Sequence, residues 1–316
     1  MLSRVAENVY WLSRYLERIE NSARLINVYS RSLMDLPDVQ SHDGWMPLIS
    51  ITGLDALYLK HYAEASAQDV TTFLVADERN PGSIINASIA IRNNLRSARD
   101  VFPKQLYQRI STLVRYVRSA CEQGVTLANR RQVLEAIERQ VLEISGAIHG
   151  SLRHDQAYRF TRMACYLERA DMTTRVLDVP KSVTTPDGDT DFASNDHRDW
   201  MAALRSVSAM QMYRRHVRQP VNATGCLDFL LKDAQLPAAC LFCLVRLDRC
   251  LEHFPNHDDA RALVASLHAR IDAVDTDALA ADALARHRFL DAVQSDLLDI
   301  GDAITRAYFP PVPETA

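Results

Sequence analysis

Val5, Val9, Leu12, Leu16, Ile19, Ala23 and Ile26 recur at three- and four-residue intervals through the opening of the chain. That is the stripe an α-helix turns toward a core. The pattern predicts a first helix over about residues 2–35, with Ser3 as its N-cap and Pro37 as its stop. A second helix follows over about 43–65 and a short one near 69–75. The turn "NPGS" then places Pro81 to open a helix to about 100, Pro103 to open another to about 121, and a last long helix covers about 129–152. From 154 the same succession runs again, interrupted by the polar stretch "PKSVTTPDGDTDFASND" over 180–196, which reads as a flexible loop. The expected fold class is all-α.

The recurrence goes beyond pattern. "YLER" stands at Tyr15–Arg18 and again at Tyr166–Arg169, an offset of 151 at which Ala6/Ala157, Arg24/Arg175 and Val28/Val179 also match. Trp45/Trp200, Met46/Met201, Tyr58/Tyr213 and His61/His216 pair at 155, and Phe73/Phe229, Leu74/Leu230, Asp77/Asp233 and Pro81/Pro237 at 156. Collinear blocks with slowly drifting offsets indicate a duplication. The expectation is two helical units, 1–153 and 154–316, packed about a pseudo-two-fold axis into one bundle.

The polar side of the first helix carries the candidate chemistry. Glu7, Arg14, Glu17, Arg18 and Asn21 share it with Tyr10, Trp11, Leu25 and Val28, an interleaving unlike a purely solvated face. By spacing, Glu17 is expected to hold Arg14 within the helix while Arg18 reaches a neighbouring element. Glu168 and Arg169 occupy the matching face of the second unit, near Asp171, Thr174 and Arg175. Two readings are open. One is a buried ion-pair network joining the units. The other is a site where Arg14, Arg18, Arg169 and Arg175, with Asn21, bind a carboxylate or phosphate and Glu17 or Glu168 acts as orienter or general base.

His61 and His216 follow Tyr58 and Tyr213 by three residues and serve either helix packing or the substrate site. Asn80, Ser83 and Asn86 fit helix capping, with anion binding at a helix start as the alternative. The Asp-rich "IDAVDTDALAADAL" reads as a solvated face.

Composition narrows the classes. Across 316 residues, 47% are hydrophobic, and only 9 Gly and 12 Pro interrupt them, which favours helices with short joints. A net charge of −4 offers no footprint for nucleic acid or an anionic membrane. The N-terminus is charged where a signal peptide needs an apolar core, and the longest apolar run, "LPAACLFCLV", ends at Arg246. A cytoplasmic protein with no membrane partner is expected. Of six cysteines, Cys226, Cys240, Cys243 and Cys250 lie close together; core packing is the first reading and metal or redox chemistry the second. No phosphate loop, zinc helix or nucleophile elbow is present, so no metal or cofactor is expected.

Together, "AENVYWLSRYLERIENSARL", "ADERNPGSI", "FLLKDAQLP" and "YLERADMTTRVLDV" resemble the bacterial alpha-E family, an α-helical domain with a Glu-Arg motif, along essentially the whole chain. This chain departs from the family at "RMACYLER", where Cys165 stands in the place of an arginine that would match Arg14. The resemblance implies a partner ATP-grasp ligase, encoded beside or fused to such proteins, often with a transglutaminase-like protease. It thereby implies a role in making or cleaving peptide or amide bonds. The first expectation is a component of such a system that binds an anionic peptide or acyl-phosphate intermediate. The second is a scaffold holding ligase and protease together. The third is an independent transferase or hydrolase using Glu17 or Glu168.

Overall fold

The computed structural model describes residues 1–34, 44–178 and 192–310, and among them the secondary structure is helical, with no strand. The first half runs α1 (Ser3–Met34), α2 (Met46–Thr52), α3 (Asp55–His61), α4 (Ala67–Val75), α5 (Ile84–Ser97), α6 (Lys104–Gln123) and α7 (Arg130–Ser151). The rest runs α8 (Gln156–Leu177), α9 (Phe192–Ser206), α10 (Met210–His216), α11 (Ala223–Lys232), α12 (Cys240–Leu251), α13 (Asp258–Ala273), α14 (Thr276–Ala281) and α15 (Ala283–Tyr308). The all-α expectation holds.

Four long helices organise each half. α1 packs on α5 and α7, α5 on α6, and α6 on α7; α8 packs on α12 and α15, α12 on α13, and α13 on α15. The halves meet chiefly along α1 and α8. α1 must therefore bury two faces. Its apolar stripe, Val9, Leu12, Leu16, Ile19, Ala23 and Ile26, lies in the core, and Glu17, Glu20 and Asn21 on its polar side are buried as well.

Several boundaries differ from expectation, each for a local reason. The helix expected over 43–65 is two, because Gly53 ends α2 in the left-handed region (φ 70°, ψ 24°), a conformation that stops a helix and suits glycine. Ser3 is not an N-cap: it lies inside α1 and its hydroxyl donates to the Tyr308 carbonyl at 2.6 Å, tying the N-terminus to α15. Pro81 does not open α5; Ser83 caps it, accepting from Asn86 N. In the Asp-rich stretch the aspartates are exposed as expected, but Asp275 and Asp282 do more, capping α14 and α15 through backbone N–H groups. The loop expected over 180–196 lies outside the described residues as far as 191, and its last residues belong to α9. The expected stop at Pro37 also lies outside them.

Candidate functional site

In each of α1 and α8 three polar residues repeat the i, i+3, i+4 spacing of one helix face: Arg14, Glu17 and Arg18, and Cys165, Glu168 and Arg169. α1 and α8 pack along each other, so the two faces meet. The charges pair across the contact. Glu168 accepts from Arg14 Nε at 2.6 Å and, two-pronged, from Arg18 Nε and Nη2 at 2.7 and 3.1 Å. Glu17 accepts from Arg169 Nε and Nη2 at 2.6 and 3.0 Å and from the Cys165 thiol at 3.0 Å. The in-helix Glu17–Arg14 pair expected from spacing is thus replaced. Pairing within α1 would leave buried Glu168 with Arg18 alone, whereas crossing gives it two guanidiniums and leaves Glu17 to the side-on fork of Arg169.

Burial sets the electrostatics. The side chains of Glu17 and Glu168 are 5% and 3% exposed, against 30% for Arg18 and 25% for Arg169. Burial pushes the Glu168 carboxyl up, but the guanidiniums of Arg14 and Arg18 outweigh it and hold the group at about 2. Burial likewise pushes the Cys165 thiol well up, so it stands as a neutral donor toward Glu17. An acid held this far below neutrality is a weak proton acceptor. The opening against Glu17, Arg162 and Cys165 is about 20 Å³, on the order of one water in size and too small for an amino acid.

Aromatic rings and a second rank of charges brace the cluster. Arg14 lies over Trp11 at 5.9 Å and Arg18 over Tyr15 at 5.6 Å. Arg162 lies over Tyr166 at 4.5 Å and donates to its hydroxyl at 2.8 Å. Further along, Arg24 pairs with Glu20 and Arg175 with Asp171, the latter at 2.9 Å. Glu138 on α7 accepts from Asn27 at 2.7 Å.

Of the residues singled out by sequence, Arg14, Glu17, Arg18, Glu168 and Arg169 come together. Arg175 stands nearly two turns beyond Arg169, engaged by Asp171. Asn21 is buried on α1, and its Nδ2 has no hydrogen-bond partner among the described residues. His61 ends α3 and lies 3.4 Å from Arg79 Nη1; His216 ends α10, exposed. α3 packs chiefly on α2 and α10 on α9, so neither histidine belongs to the α1–α8 contact. The tyrosines before them point elsewhere, Tyr58 donating to the Glu64 carbonyl at 2.7 Å and Tyr213 to that of Pro220 at 3.5 Å. Asn80, Ser83 and Asn86 are occupied with capping and with the carbonyls of Phe73, Glu78 and Asn80.

Sequence reasoning passed over Arg162 and the role of Cys165. The signal for Cys165 was its place at the offset of 151 from Arg14. Cys226, Cys240 and Cys243 are buried in the core, and among the described residues no group of three or more His, Cys, Asp or Glu is arranged to hold a metal.

A helical protein built around reciprocal Glu-Arg pairs between two packed helices, α1 and α8, is the class these features define. The chain belongs to the Alpha-E family, described as a predicted alpha-helical domain with a conserved ER motif, which it matches over residues 1–309. It is 23% identical to a protein of Mycobacterium bovis and, equally, to counterparts in two strains of Mycobacterium tuberculosis, each described only as uncharacterized. Those alignments cover 96% of this chain but 36% of each relative, so the chain spans about a third of their length. No solved structure matches. No helix among the described residues is long and apolar enough to cross a membrane.

Proposed function

We propose that the chain is a helical accessory module of an amide- or peptide-bond-forming system in the cytoplasm, working with an ATP-grasp ligase and a transglutaminase-like protease. Its Glu-Arg motif is a clamp between helices, and the ligation chemistry belongs to the partner. The observation that carries this reading is the commitment of both motif carboxylates: each is buried and held by arginine of the other helix. A general base or nucleophile needs a lone pair free for substrate. The length of the relatives supports the same view, since the matched region is a module of a longer protein there.

The clamp is also the reason to read the chain as two copies of one unit, 1–153 and 154–316. Matching residues at a near-constant offset support it, as does the like packing order of α1, α5, α6, α7 and of α8, α12, α13, α15. Under this reading Cys165 fills, more weakly, the place Arg14 holds opposite the other glutamate.

One observation favours a second reading, in which an anionic peptide or acyl phosphate docks on the motif. Arg18 and Arg169 each use only Nε and Nη2 on their glutamate and remain partly exposed, leaving Nη1 without a hydrogen bond among the described residues. A reconstituted mixture with the ATP-grasp ligase, read by mass spectrometry of the product, tests both. Product that depends on the chain, and that survives Arg18→Lys and Glu17→Gln at temperatures where these variants are folded, supports the clamp. Folded variants that abolish product support docking. A ligase that neither co-purifies with the chain nor changes its product or rate on its addition refutes both.

A further inference from the structure

Between α5 and α6, away from the α1–α8 contact, lies a cavity of about 400 Å³. Its floor follows from helix spacing. Ile85, Ile89 and Arg92 repeat at i, i+4, i+7 along the face of α5 that lines it, Ile85 buried and Ile89 partly so, while Ile84, Ile91 and Leu95 are buried in the core without lining it. α6 packs on α5 and supplies Val114, Arg118 and Glu122 to the facing wall.

Two arginines and two glutamates line this cavity, but among the described residues only one of each is paired. Arg118 Nε is taken by Glu122 at 2.7 Å. Arg92 has no partner at all among the described residues: neither Glu78 nor Glu122, both lining the cavity, comes within the 4.0 Å of an ion pair. Its Nε is buried with no hydrogen bond. A guanidinium donor withdrawn from water and left unsatisfied is costly, more so than an unsatisfied neutral group.

The matching groove of the other half shows the alternative arrangement. Between α12 and α13, Asp248 stands 156 residues beyond Arg92, and Arg261 grips it through Nε and Nη2 at 2.7 and 3.0 Å while also reaching Glu252 at 3.0 Å. There the charge is closed within the protein. At Arg92 it is open.

We infer that the α5–α6 cavity binds a small aliphatic carboxylate, whose carboxylate pairs with Arg92 and whose hydrocarbon body lies on Ile85, Ile89 and Val114. The fork of an arginine fits a carboxylate, and the volume lies within the range of small-ligand sites. Glu78, exposed at the rim with no ion pair of its own, supplies a second point of attachment when the ligand carries an α-ammonium group, as an amino acid does. This inference does not depend on the partner ligase.

Calorimetric titration of the full chain with 4-methylpentanoate, L-leucine, L-leucinamide and inorganic phosphate tests it. Saturable binding of 4-methylpentanoate or leucine is expected, with leucinamide weaker by about tenfold or more, as loss of a charge-assisted pair implies. Arg92→Met should weaken 4-methylpentanoate by a similar factor without lowering the melting temperature of the free protein, since it removes an unsatisfied group. Glu78→Gln should weaken leucine and leave 4-methylpentanoate unchanged. No saturable binding of either carboxylate, binding indifferent to Arg92→Met, or phosphate bound as tightly as 4-methylpentanoate would each overturn the assignment.

Discussion

Glu168 shows why the motif is a matter of stability. With an unfolded value near 4.3 and a folded value of about 2, it binds protons more readily unfolded than folded. The difference contributes on the order of 3 kcal/mol above about pH 5, lost as pH falls toward 2. Glu168→Gln should therefore flatten the acid limb of the stability curve between about pH 5 and 2 and lower stability at neutral pH by about 3–5 kcal/mol, because Arg14 and Arg18 are stranded. Urea unfolding across that range reads both effects. Cys165 gives an independent check. Its thiol is buried, donates to Glu17 and is pushed well up by burial. In native protein at neutral pH it should resist iodoacetamide while reacting once unfolded, read by peptide mass spectrometry.

At the scale of elements, the positions that punctuate helices are the sensitive ones. Gly53 holds φ 70° where α2 stops, and a Cβ there would meet Arg175 Nη1 at an ordinary 3.4 Å. Gly53→Ala should cost about 1 kcal/mol, through backbone conformation alone. Gly225 differs: it lies in the first turn of α11 against the hydroxyl of Tyr213, which is fully buried. Gly225→Ala should cost more, about 1–3 kcal/mol by overpacking, and thermal melts of the two variants compare them directly. Most helices were legible because apolar spacing and N-cap residues are local signals. The exceptions are instructive. Pro81 places the expected start of α5 three residues before Ile84 because its N1 preference competes with the Ser83 cap, and Gly53 falls inside one expected helix because a lone glycine is tolerated within a helical pattern.

For the whole molecule, spacing told which charges share a face but not which carboxylate lies across the gap. Arg14 and Glu17 are adjacent on α1, so the local rule joined them; the desolvation of Glu168, a property of the α1–α8 packing, decides otherwise. Arg92 is not legible in the sequence for the opposite reason: a lone arginine in an amphipathic helix is ordinary, and only packing in the folded protein strips its Nε of water. His61 and His216, paired by sequence, lie on short helices outside the contact.

The central claim is that Glu17 and Arg169 hold one half to the other as a coupled pair. A double-mutant cycle of Glu17→Gln and Arg169→Met, measured by equilibrium urea unfolding, tests it most directly. The double variant should be little less stable than either single one, with a coupling of about 2–3 kcal/mol. Single costs that add to within about 0.5 kcal/mol would contradict it.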